Sequence, residues 1–154
     1  IGEPSRAEPG IDFVLGGRDF RGDLGAARVL GDVPFNSFTR AISAARINLN
    51  VTRRSHGTVP GSSTCRPFEL AAAGAAIVSN PHAGIERWFE PESELLVVES
   101  AEEALTAYHR LLDDPAEAVA MGARARQRVL GEHTYAHRAR QVLRALGLDA
   151  KAGA

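Results

Sequence analysis

An α/β domain in three layers, with a parallel sheet of about five strands and helices on both faces, is the fold this sequence predicts. Three observations predict it. Short apolar runs of strand length (DFVL, RVL, INLNV, AIVS, LLVV) recur between residues 12 and 98. Stretches with apolar residues at helical spacing lie between the later runs. From Ser100 onward the pattern is helical throughout.

Residues 1–10 hold prolines, glycines and charges and read as linker or disordered; 11–147 form the folded unit and 148–154 a tail. Asp12–Leu15 is a short buried strand ending in Gly16-Gly17, and Arg28–Leu30 a second, ending in Gly31. Asn36 can cap a helix to about Ala45 that buries Phe38, Ile42 and Ala45. The strand Ile47–Val51 follows, then a Gly/Ser loop and an Ala-rich helix from near Thr64 to Gly74. Ala76–Ser79 is the next buried strand, Gly84–Phe89 a short helix or turn, and Leu95–Val98 the last strand. Ser100 and Glu103 form a capping box for a helix with Leu105, Tyr108, Leu111 and Leu112 on its apolar face. Asp114, Pro115 and Glu117 open another, which Gly131 ends. Thr134 caps the last, whose apolar face is Tyr135, Ala139, Val142, Leu143 and Leu146.

The chain of 154 residues suits one domain with a proper core, and 44% hydrophobic with 24% charged residues is an ordinary globular composition. A net charge of −1 gives no electrostatic ground for binding nucleic acid or an anionic membrane. A single cysteine excludes an intrachain disulfide and a multi-cysteine metal site, and points to a reducing, cytoplasmic setting. No apolar run approaches the ~20 residues of a membrane span. The opening IGEPSRAEPG reads as a cut from a longer protein.

The chemistry concentrates in Arg46–Asn80. A strand, a loop of small polar residues and a helix N-terminus make an anion site, because unpaired backbone N–H groups face an incoming phosphate. Ser62, Ser63 and Thr64 can supply donors there, although capping a helix and filling a loop use the same residues. Arg66 lies in the first helical turn, where a cation opposes the macrodipole, so an anion or a neighbouring carboxylate must offset it. Glu69 sits in an apolar helix, where burial demands hydrogen-bond partners. Gly16 and Gly17 follow the first strand at the carboxyl end, where α/β sheets bind ligands, and a tight turn explains them equally well. Asn48 and Asn50 share one strand face. The five histidines form no metal pattern: His56 and His82 read as surface residues, His133 and His137 as capping and packing residues.

RPFELAAAGAAIVSN resembles the donor-site helix and following strand of group 1 glycosyltransferases of the GT-B fold. FNSFTRAISAARINLNVTR, RPFELAAAGA and EHTYAHRARQVL, in this order, are similar to the spore-maturation-type branch, over roughly residues 11–147. The resemblance implies a Rossmann-like GT-B C-terminal domain that binds a nucleoside-diphosphate sugar and needs neither cofactor nor metal. It implies an acceptor site on an N-terminal half of the same parent chain, and a fragment that binds donor weakly and does not turn over alone. By the same resemblance Glu69 contacts the nucleotide ribose, and Val33, within GDVPF, lies in the segment that cradles the base. One departure stands out. Retaining members of the wider group often carry a second Glu eight residues before the first, where this chain has Gly61. A non-catalytic nucleotide-sugar binding or interaction module of the same fold is the alternative. A strand and helix of the family upstream of DFVLGG are missing, and the bare sheet edge invites a homodimer.

Overall fold

The structure, a computed structural model, describes residues 1–52, 58–59 and 63–148. Its helices are α1 (Gly2–Ala7), α2 (Phe38–Ala44), α3 (Arg66–Ala72), α4 (Ala101–Asp113), α5 (Pro115–Glu132) and α6 (Tyr135–Ala145). Its strands are β1 (Val14–Gly16), β2 (Arg28–Gly31), β3 (Asn48–Asn50), β4 (Ile77–Ser79) and β5 (Leu96–Val97). All neighbouring strands pair in parallel; β4 is fully buried, but β1, expected from sequence to be a buried strand, and β2 stay largely exposed, with no helix between them. The strands do not form the single sheet expected: β1 pairs with β2 in one small sheet, and β3, β4 and β5 line up in another.

Two cores lie on opposite faces of the larger sheet, because side chains alternate along β4. Ile77 points to the core shared by Ile42 of α2, Leu70 and Ala71 of α3, Phe89 and Leu95. Ala76 and Val78 point to the core formed by Ala104, Ala107, Tyr108 and Leu111 of α4. Helix α5 serves both: Ala118 and Met121 fill the α4 side, Ala125 and Val129 the α3 side. Burying each of the larger aliphatic side chains contributes about 1.5–3 kcal/mol.

Residues 1–10 are not a linker; they carry α1. Ser5 is buried and donates to the carbonyls of Gly2 (3.0 Å) and Leu24 (3.1 Å), while accepting from the Ala26 N–H (2.9 Å). The helix packs on α4, where Glu8 Oε1 meets His109 Nε2 at 2.9 Å. Asn36 does not cap α2. A single 3-10 turn, Phe35–Ser37, leads into it instead, with the Ser37 N–H on the Pro34 carbonyl.

Helix α3 does end at Gly74, which adopts φ +76°. The Gly74 N–H donates to Ala71 O (2.8 Å) and the Ala75 N–H to Leu70 O (3.1 Å), the paired bonds of a Schellman motif. Arg126 of α5 donates Nε to the Ala72 carbonyl at 3.0 Å, placing a cation on the negative end of α3. Gly122 explains how α5 comes so close: a Cβ there would lie 2.1 Å from Gly74 O.

Ser100 caps α4 as expected by accepting from the Glu103 N–H (3.1 Å), but the Glu103 carboxylate accepts from Glu99 rather than from Ser100. Asp114 and Pro115 open α5 as read. Gly131 does not stop α5, which continues to Glu132 before Thr134 starts α6 with a complete capping box to His137. The predicted apolar face of α6 is not buried: Tyr135 is 87% and Leu146 65% exposed.

Candidate functional site

The segments after β1 and β2 leave the carboxyl end of one small sheet and those after β3 and β4 the carboxyl end of the other, the end at which open α/β sheets take ligands. The residues singled out from sequence fall into two groups, one at each of these ends.

Gly16, Gly17 and Val33 form the first. A Cβ at Gly16 would lie 2.6 Å from Val33 Cγ2, so the glycine leaves room for the Val33 side chain to pack on the end of β1 in its present rotamer. Gly17, at φ +132°, gives its N–H to the Gly31 carbonyl at 2.6 Å. That donor is committed to the fold. Arg18 pairs with Asp32 at 2.6 Å across the same junction.

Ser63, Thr64, Arg66 and Glu69 form the second, while Ser62 and Gly61 lie outside the described residues. Ser63 Oγ donates to the Thr64 carbonyl at 3.3 Å, and neither residue caps α3. Cys65 is the N-cap residue, exposed, and its side chain makes no capping bond among the described residues. Pro67 sits near the start of α3, where its missing N–H costs nothing.

Arg66 stacks its guanidinium over Phe38 at 4.4 Å and places Nη1 3.3 Å from Glu69 Oε2. Both side chains are nearly half exposed, at 46% and 44%. Glu69 is therefore not a buried carboxylate in need of partners; Arg66, three residues earlier, satisfies it. An exposed pair of this kind contributes about 0.2–1 kcal/mol, and stacking at an exposed site about 0.5–1 kcal/mol. Phe38, which sequence reading placed in the core alone, thus acts as the platform that holds the guanidinium in place. Its fork has five N–H donors, suited to bidentate contact with phosphate oxygens.

A polar lock holds the ends of β3 and β4 together. Asn50 Nδ2 donates to Ser79 Oγ (2.9 Å), Ser79 Oγ to the Asn80 carbonyl (2.9 Å), and the Thr52 N–H to Asn80 Oδ1 (2.6 Å). Asn50, Thr52 and Ser79 are buried. Asn48 is used locally, donating Nδ2 to the Ile42 carbonyl at 3.1 Å. Both asparagines therefore hold the scaffold. His82, just after β4, is only 6% exposed, and its Nδ1 has no partner among the described residues. It is not the surface histidine its sequence context suggested. His56 lies outside the described residues.

Phe68 anchors α3 from behind, meeting Trp88, Phe89 and His133 at centroid distances of 5.5–5.7 Å. Burial pushes the His133 pKa below its ordinary value, and the nearby Arg138 cation adds to the shift. His133 contacts the Trp88 carbonyl through Nε2 (3.1 Å) and the Arg138 guanidinium through Nδ1, which assigns the proton to Nε2. Among the described residues no His, Cys, Asp and Glu cluster could hold a metal ion, and no helix is long and apolar enough to cross a membrane.

The sequence pattern of the family described as "Glycosyl transferase-like" matches residues 2–144. Among solved structures, sucrose-phosphate synthase from Thermosynechococcus elongatus superimposes with a TM-score of 0.65 at 22% identity, over 86% of this chain. The chain spans 37% of that synthase's length, and at this identity the likeness carries the fold alone. No curated protein matches the chain. The parallel α/β architecture and the match along nearly all of the chain agree: the chain belongs to the glycosyl transferase-like family, as a GT-B glycosyltransferase domain.

Proposed function

We propose that this domain binds a nucleoside-diphosphate sugar and presents it for transfer to an acceptor held by an N-terminal half of the same parent protein. The observation that carries the reading is Arg66: a guanidinium stacked on Phe38 at the carboxyl end of a parallel sheet, with one weak, exposed carboxylate contact among the described residues. An arriving diphosphate competes with that contact at little cost. Glu69, released from Arg66, is then available to the ribose hydroxyls. Ser62, Ser63 and Thr64 complete the diphosphate side, and Gly16, Gly17 and Val33 line the base side. Charge building on the leaving diphosphate is stabilised by Arg66 and the uncapped start of α3.

The spore-maturation-type branch and a cytoplasmic location belong to the same reading, the second supported by the single cysteine. Gly61, in place of the second Glu of retaining relatives, favours a second reading in which the domain binds nucleotide sugars without catalysing transfer. Calorimetric titration with UDP, GDP and dTDP tests the nucleotide binding that both readings share, and a transfer assay on the longer parent chain separates them. Saturable binding of one nucleotide, lost in Arg66→Ala, is expected. Binding of none to an otherwise folded chain overturns the donor reading.

A further inference from the structure

Helix α6 buries none of its residues, and every position from Ala139 to Leu148 is exposed. A tether lies near its start. Arg138 lays its guanidinium over the Trp88 ring at 5.2 Å, and its Nη2 donates to His133 Nδ1. Its Nη1 turns back to Gln141 Oε1 at 2.7 Å, which steadies the fork. The joint between α5 and α6 is two residues long: His133 closes α5, and Thr134, extended at φ −74° and ψ 163°, opens α6.

His133 is the fixed half of the tether. Its Nε2–H donates to the Trp88 carbonyl at 3.1 Å, and its ring meets Phe68 at 5.5 Å and Trp88 at 5.6 Å. Nδ1 then carries the lone pair, so the bond from Arg138 exists only while His133 is neutral. A further proton leaves the ring with two donors, one of them facing a guanidinium that has no acceptor. Burial opposes that proton most, and Arg138 and Arg128 oppose it as like charges, while Glu132 favours it. Arg128 is itself shared among Glu90, Glu94 and Glu132. The other elements packed on the ring present Phe68 and Trp88, which carry no charge. His137 is the second titratable ring at the joint. Its Nδ1 accepts from the Thr134 N–H (3.3 Å) and meets Thr134 Oγ1 at 2.6 Å, so it serves the cap of α6 and not the tether.

We propose that His133 is the catch of a pH-operated latch: when it takes a proton from solvent, its bond to Arg138 breaks and α6 swings away from Trp88 about the His133–Thr134 joint. Two cations then stand where one hydrogen bond stood, and α6 has no buried side chain to hold it against them. The closed form already leaves one donor unmet, since Trp88 Nε1 is buried with no partner among the described residues. Release uncovers the face of the indole on which Arg138 lies. The sign follows from the lowered pKa of His133: the latch is closed above the ordinary histidine value and opens as pH falls through the lower folded one. It uses no residue assigned to the donor and stands apart from that reading.

Pulsed electron paramagnetic resonance tests it, with spin labels on Cys65, the single cysteine and exposed, and on a Leu146→Cys substitution at an exposed position. The label distance should be narrowly distributed at about pH 7.5 and broad at about pH 5, a range that spans the ordinary histidine value. Far-UV circular dichroism should keep its helical signal across that range. His133→Phe should hold the distribution narrow at both pH values, and Arg138→Met should broaden it at both. His137→Gln, which keeps a capping box without a titrating ring, should respond as the unmodified chain does. A narrow distribution at about pH 5, or one still narrow in Arg138→Met, overturns the latch. So does a response that survives His133→Phe or disappears in His137→Gln. Loss of the helical signal together with the broadening would mean that the whole domain opens, and overturns it as well.

Discussion

Replacing Gly122 by alanine pits two effects of opposite sign against each other. Gly122 lies inside α5, and intrinsic propensity favours alanine in a helix by about 1 kcal/mol. Against this, the new Cβ would lie 2.1 Å from Gly74 O, 2.7 Å from Gly74 C and 3.0 Å from Ala75 C. All three are backbone atoms, so no side chain can rotate away. Restoring ordinary contact at 3.4 Å moves α5 and the α3–β4 turn apart by 1.3 Å. That displacement strains the Arg126–Ala72 bond and loosens Met121 and Ala125, both fully buried. Overpacking of this kind costs about 1–3 kcal/mol, and here it falls on backbone, so the upper part of the range applies. The expected net is a destabilisation of about 2 kcal/mol, or a melting temperature about 4–8 °C lower for a domain of this size. Gly131→Ala in the same helix is the control: nothing lies within 4 Å of its Cβ position, so it should gain up to about 1 kcal/mol. Thermal unfolding by circular dichroism reads both. A Gly122→Ala protein as stable as Gly131→Ala would show that the close approach of α5 to Gly74 is not what holds α3 in place.

Glu69→Ala should weaken nucleotide binding about 10-fold while shifting the melting temperature by little, since its pair with Arg66 is exposed; calorimetry showing unchanged affinity would remove Glu69 from the site. Phe38→Ala should leave the Arg66 charge in place but free it from its platform, costing about 0.5–1 kcal/mol of binding and sharing that effect non-additively with Arg66→Ala in a double-mutant cycle. His133 is held neutral, with a folded pKa below its ordinary 6.5. Its contribution to stability is therefore present above pH 6.5 and lost as pH falls through the lower folded value. His133→Phe, which keeps the ring contacts, should flatten the fall in melting temperature between neutral and mildly acid pH; an unchanged slope would assign that fall to other groups. Ser79→Ala should cost about 1–3 kcal/mol by leaving Asn50 Nδ2 and buried carbonyls short of a partner, measured by urea denaturation.

The strands were legible in the sequence because each is a compact apolar run between turn residues. Their division into two sheets was not, since it depends on which edges find hydrogen-bond partners and no run encodes its neighbour. The helix stop at Gly74 was readable and the stop at Gly131 was misread. Gly74 needs its left-handed backbone, whereas Gly131 sits in ordinary helix and the true boundary is set by Thr134. Glu69 was read as buried from its apolar neighbours; the signal that it is not was Arg66, at the i,i+3 spacing that pairs side chains on one helix face. The positions of Phe38 under Arg66 and of Val33 over Gly16 are tertiary, and nothing in the chain order announces them. His82 was unreadable for a similar reason: a lone loop histidine gives no sign of burial.

Among the described residues, α5 is the one helix whose residues belong to both cores, with Met121 on the α4 side and Ala125 on the α3 side. Peeling it away opens both sides of the sheet at once, and neither side can melt while it stays docked. The domain therefore has no partly open form that spares one layer, and its unfolding should be a single cooperative event. The frame that carries Arg66 should therefore stay intact until the whole domain gives way.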